Sequence, residues 1–173
     1  MEIGVKGKAI RSHFCLKLTS FVLWTLRSLL EILFGNPDSE FLLIEILSRS
    51  YPNYTDYWDG NWLNARVTLS VGGFKGLLGG YLRAEEFLRF RDEIEKLNNT
   101  LSGKASFSTM EEWLSFNLTG DGRGHVILKG QVRDQPGSEN TLNFTIELDQ
   151  TFLPEILRGL DKTIEIFPVL GQC

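Results

Sequence analysis

Residues 61–82 read NWLNARVTLSVGGFKGLLGGYL. Over Asn61–Val71 the side chains alternate, with Ala65, Val67, Leu69 and Val71 on one face and Arg66, Thr68 and Ser70 on the other. A period of two is that of a half-buried strand. Gly72-Gly73 turns the chain, and Phe74–Leu82 is expected to return as a second strand, weakened by its glycines. At Ala84 the period changes. Phe87, Phe90, Ile94, Leu97 and Leu101 form one stripe with Glu85, Glu86, Asp92, Glu93 and Lys96 outside it, which predicts a helix over 84–101. The early acids suit the positive end of its dipole, and Asn98-Asn99 with Gly103 help to stop it.

The pattern repeats outward from this unit. Upstream, Phe41–Leu47 is a short apolar run suited to a well-covered strand. Downstream, Lys104–Ser108, Glu112–Thr119, His125–Arg133 and Thr141–Leu148 are strand candidates, joined by turns at Gly120–Gly124 and Asp134–Ser138. Such short links favour antiparallel neighbours. Thr151–Phe167 closes the chain as a helix, with Asp149 or Thr151 as its cap, Pro154 tolerated in its first turn and Pro168 as its stop. No internal sequence repeat is visible. The fold class expected is α+β, an antiparallel sheet packed with two main helices, in one domain over residues 40–173.

Residues 1–36 read differently. His13–Phe34 is apolar around most of a helical wheel, with Lys17, Ser20, Arg27, Ser28 and Glu31 in a narrow stripe. Arg27 and Glu31 would lie in hydrocarbon, which argues against a spanning helix, and no A-x-A-like cleavage site marks a signal peptide. A separate amphipathic helix is expected here. It could pack on the domain, lie at a membrane interface through residues 13–34, or be an upstream extension outside the native start. The turn cluster Gly35–Ser39 is the natural boundary, so residues 1–36 are expected to be dispensable for the domain's fold.

The charge is uneven. Residues 1–36 carry five basic and two acidic side chains, so the overall −4 leaves −7 on the remainder. An acidic domain repels phosphate backbones, which disfavours direct nucleic-acid binding, and attracts a basic protein. The two cysteines, Cys15 and Cys173, form no framework and fit free thiols in a reducing cytosol. Of the two histidines, His13 lies outside the domain, and His125 opens a strand after a glycine turn, where an imidazole bonded to backbone is the simpler reading. Metal ligation needs several ligands at set spacing, and the loop at 119–124 lacks both the acidic ladder of a calcium site and the lysine of a phosphate loop. Asp56 and Asp59 form a pair of carboxylates with acid–base potential. No catalytic set, metal or cofactor is expected.

The most unusual segment is YPNYTDYWDGNW, residues 51–62, with five aromatics and two aspartates. One reading is a loop whose Trp58 and Trp62 plug the end of the core, with Asp59-Gly60 as a tight turn. The other is a binding surface, since exposed Trp and Tyr are favoured interface anchors; Tyr54, Asp56, Tyr57, Trp58, Asp59 and Trp62 would carry it. The two coexist if one Trp is buried and the tyrosines are exposed.

These residues resemble a known family. Tyr57-Trp-Asp-Gly-Asn-Trp62, then Gly73-Phe74, Gly122-x-Gly-His125 before a strand, and Asp149-Gln-Thr-Phe-Leu153 at the mouth of the last helix are similar, in order and spacing, to the WapI-like family of bacterial immunity proteins. The resemblance spans roughly residues 40–168. It implies a stoichiometric inhibitor of a polymorphic toxin, whose C-terminal domain is often a nuclease, acting in the cytoplasm of its own cell. The motif positions carried over are Trp58, Asp59, Gly60, Trp62, His125, Asp149 and Gln150, several of which would only hold the fold. Two other classes stay open: a carbohydrate-binding module stacking sugars on Trp58 and Trp62, and an enzyme using His125 with an acid.

Overall fold

The computed structural model describes residues 30–137 and 140–172. Two four-stranded antiparallel sheets, each followed by a helix, make up the fold. The first sheet runs in the order β1 (Glu31–Gly35), β2 (Phe41–Arg49), β3 (Trp62–Val71) and β4 (Phe74–Arg83), and leads into helix α1 (Ala84–Thr100). The second runs β5 (Ser102–Ser108), β6 (Leu114–Asp121), β7 (His125–Arg133) and β8 (Thr141–Asp149). It leads through a 3-10 turn (Gln150–Phe152) into helix α2 (Leu153–Ile166). The antiparallel α+β reading therefore holds, with its strands shared between two sheets. The order ββββα occurs twice although the sequence shows no repeat, because strand alternation and a helical stripe need only polarity, not particular residues.

Strand alternation decides the faces. Leu63, Ala65, Val67 and Leu69 of β3 point inward, and so do Leu118, Leu128 and Ile146 of the second sheet. Each helix covers the other half: α1 packs on β5 and α2 on β1, and the two helices touch. The approach of α2 to β1 is close enough that a Cβ at Gly159 would come within 2.7 Å of the Glu31 carbonyl.

One expectation is corrected. Glu31–Phe34, read as the end of an amphipathic helix, is strand β1, paired with β2 from Glu31↔Glu45 to Gly35↔Phe41. Three apolar residues in succession, Ile32, Leu33 and Phe34, suit either period, and only the partner strand decides. Ile32 and Phe34 are buried, and the Phe34 ring lies 5.1 Å from that of Phe116 in the other sheet and 6.2 Å from that of Phe90 in α1. Gly35–Ser39, read as a domain boundary, is thus the β1–β2 hairpin turn, closed by Asn36 N–H donating to the Glu40 carbonyl. The rest of the N-terminal helix reading, with Cys15 and Cys173, falls outside the described residues.

Smaller differences have local causes. β6 begins at Leu114 and not at Glu112, because Glu112 adopts φ 55° in a turn whose N–H returns to the Thr109 carbonyl. Helix α1 stops where Leu101 itself takes the left-handed conformation, its N–H bonded to the Leu97 carbonyl. Asp149 caps the 3-10 turn that leads into α2, its carboxylate accepting from the Thr151 N–H at 2.8 Å, while α2 itself starts at Leu153 with no side-chain cap.

Candidate functional site

The aromatic segment links β2 to β3 and is built as a rigid platform. Its base is the junction of β4 with α1. Arg83 there is 2% exposed, and its guanidinium donates to the Trp58 carbonyl and the Tyr57 carbonyl, both at 2.8 Å. It lies 5.1 Å from the centre of the Trp62 ring, 5.3 Å from Tyr57 and 5.8 Å from Trp58. Glu85 accepts from its Nε and balances its charge. A buried guanidinium with both carbonyl and carboxylate partners meets the condition for burying a charge at tolerable cost.

The C-terminal tail braces the loop from below. Buried Asn61 donates to the carbonyls of Tyr57 and Leu170, each at 2.9 Å, and its Oδ1 accepts from the Leu170 N–H at 2.8 Å. Arg49 donates to the carbonyls of Gly60 and Pro168. Gly60 is buried, and a Cβ there would fall 2.6 Å from the Asp56 carbonyl oxygen. That position therefore excludes any side chain, which gives Gly60 a structural role.

Of the residues expected to form a binding surface, Tyr54 and Trp58 are 51% and 60% exposed, while Tyr57 and Trp62 are half-buried. Trp58 thus does not plug the core. Trp113 does: it is buried against Gly80, and its indole N–H donates to the Tyr81 carbonyl at 3.1 Å. The two aspartates separate in role. Asp56 Oδ1 accepts from the Trp58 and Asp59 N–H groups, each at 2.9 Å, which folds the loop and holds its carboxyl below the usual range. Asp59 is exposed and lines a cleft beside the rings.

Sequence reasoning missed Tyr81 and Glu111. Tyr81 is 51% exposed, and its ring meets that of Trp62 edge-on at 6.5 Å. With Tyr51, Asp59 and Glu111 they line a cleft of about 290 Å³. Tyr81 was legible in principle as an outward position of β4, opposite Asn64. Glu111 lies in the β5–β6 turn and enters only through the fold.

The second group of motif residues forms elsewhere. His125 and Asp149 are register partners on β7 and β8, and the Gln150 N–H donates to the Gly124 carbonyl at 2.8 Å. The His125 imidazole is exposed, with Nδ1 3.0 Å from Asp121 Oδ2. Asp121 is held below the usual carboxyl range, first by the Arg123 N–H and then by His125. Asp149 is likewise held low, chiefly by Thr151. This cluster closes the turn between β6 and β7 and starts the last helix. It lies at the end of β6 away from Trp113, about 20 Å along the strand at ~3.3 Å per residue. His125, Asp149 and Gln150 therefore do not join the aromatic platform. Among the described residues no group of three or more His, Cys, Asp or Glu is placed to hold a metal ion, and no helix is long and apolar enough to cross a membrane.

Fold and site together define an α+β protein of two packed sheets that displays a braced aromatic loop. The family model for the immunity protein WapI-like family matches residues 32–168, and the chain belongs to that family. The match begins inside β1, in agreement with the place of that strand in the fold. No curated protein matches. Among solved structures the chain is similar to one in "Crystal structures of trypanosoma bruciei MRP1/MRP2", at 16% identity over 92% of this chain and 96% of that one, with a TM-score of 0.49.

Proposed function

We propose that this chain is a non-catalytic, stoichiometric inhibitor that binds the C-terminal domain of a cognate polymorphic toxin in the cytoplasm. The observation that carries the reading is the platform at 51–62. Its outer rings are exposed while its backbone is fixed by Arg83, Asn61 and the C-terminal tail. A rigid scaffold reduces the ordering cost of association, and large exposed aromatics are the side chains most often found as interface anchors. Membership of an immunity family supplies the class of partner. The acidic balance of residues 37–173 suits a basic toxin surface such as that of a nuclease.

His125 takes no part in this reading. Its imidazole is exposed and paired with Asp121 at the edge of a turn. His125→Ala is expected to leave protection intact. The test is co-expression with a candidate cognate toxin domain, followed by titration of the purified pair. Protection that saturates at one equivalent is expected. Protection at far below one equivalent would mean turnover and would overturn the reading.

A further inference from the structure

The cleft formed by Tyr51, Asp59, Trp62, Tyr81 and Glu111 has three aromatic walls and two carboxylates, and no basic residue lines it. Neither carboxylate has a hydrogen-bond or ion-pair partner among the described residues. Its volume of about 290 Å³ lies just below the range that encloses drug-sized ligands and suits one inserted side chain. One of these rings already receives a cation from within, since the Arg83 guanidinium lies 5.1 Å from the centre of Trp62. Glu85 neutralises that internal charge, so Asp59 and Glu111 set the sign of the field in the cleft.

We propose that this cleft seats a guanidinium group from the protein partner, an arginine side chain inserted between the rings of Tyr51, Trp62 and Tyr81 and paired with Asp59 and Glu111. Flat guanidinium groups stack on aromatic faces and offer several donors to carboxylates, which an ammonium does less well. An apolar side chain would leave both carboxylates to be desolvated without a partner, and an acidic one would be repelled. The proposal rests on the inhibitor reading for the source of the arginine and extends its site to Tyr81 and Glu111.

The test needs no toxin. The full chain, labelled with ¹⁵N, is titrated with acetyl-Gly-Arg-Gly-amide and with the same peptide carrying citrulline, a neutral isostere. The Trp62 indole signal, identified from Trp62→Phe, is followed. A saturable shift with the arginine peptide is expected, with citrulline binding at least about tenfold more weakly. The double variant D59N/E111Q should weaken the arginine peptide by about tenfold while the Trp113 indole signal stays in place. No saturable shift at Trp62, equal binding of the two peptides, or unchanged binding by the double variant would each overturn the proposal. Such results would leave co-expression protection untouched. Failure of the inhibitor reading would instead appear as no protection and no complex while the arginine peptide still binds.

Discussion

Glu86 ties the site to the fold through one side chain. It is buried at the start of α1 and accepts from the Arg83 N–H at 3.0 Å and the Met110 N–H at 2.7 Å. It thereby joins the Arg83 junction to the turn that carries Glu111. Burial outweighs those two donors and pushes its carboxyl from 4.5 up to about 7. The folded chain therefore holds this proton more tightly than the unfolded chain does. Its contribution to stability is full below about pH 4.5 and is lost as pH rises to about 7. At ~1.4 kcal/mol per pH unit the full change is about 3 kcal/mol. Urea denaturation of the wild type between pH 5 and 7.5 should show stability falling across this window, and Glu86→Gln should flatten the slope. Asp56, Asp121 and Asp149 do not interfere there, since their lowered values put their titration at more acid pH. A second residue-scale prediction compares two aromatics. Trp62 packs on Arg83 and Tyr81, whereas Tyr54 is half exposed and touches Tyr51 at its edge. Trp62→Ala should cost ~2–4 kcal/mol and Tyr54→Ala under ~1 kcal/mol, read as separate denaturation midpoints.

At the scale of elements, β1 changes what the N-terminal region means. The strand is an edge of the first sheet, yet its Phe34 reaches Phe116 of the second sheet and Phe90 of α1. Its outer flank is closed by α2, lying against the Glu31 carbonyl at Gly159. A helix on an edge strand protects its unpaired groups. Phe34→Ala should destabilise by ~3–5 kcal/mol, as for other fully buried phenylalanines, measured by chemical denaturation. Removing residues 30–36 should abolish the cooperative transition, the reverse of the expectation drawn from the turn at Gly35–Ser39. A transition that persisted after that deletion would place β1 outside the cooperative unit.

For the whole molecule, charge acts on approach and aromatic packing on residence. Residues 37–173 carry −7, and exposed acids such as Asp59 and Glu147 lie on the surface. Neutralising Glu147, which lies outside the cleft, should slow association with the toxin domain several-fold and flatten its salt dependence, with a smaller effect on dissociation. Trp58→Ala should act the other way, mainly on dissociation, because desolvated ring contacts are lost only after docking. Surface-bound toxin domain at two ionic strengths separates the two rates. Asp56 is the wrong acid for this experiment. Its carboxylate folds the loop, so its replacement would alter shape and charge together.

Strands, helices and caps follow from local polarity, and for that reason most were legible in the sequence. Alternation over β3 and β8, the stripe of α1 and the Asp149 cap depend on neighbours within one or two turns of chain. The exposure of Tyr51 and Tyr54 followed from the same local reading, whereas the half-buried Tyr57 and the exposed Trp58 did not. What the sequence left open depends on partners distant along the chain. Residues 31–34 fit either period until β2 lay beside them. The sequence pointed to Trp58 or Trp62 as the core plug, and only packing placed Trp113 against Gly80 in that role. The cleft joins Asp59 to Glu111 and Tyr51 to Tyr81 across separate elements. Local polarity sets the phase of each element, but it does not say which elements meet. The alternation of β3 and the stripe of α1 therefore belong to the sequence, while strand β1, the buried Trp113 and the acid–aromatic cleft were decided only by the packing of two sheets and two helices.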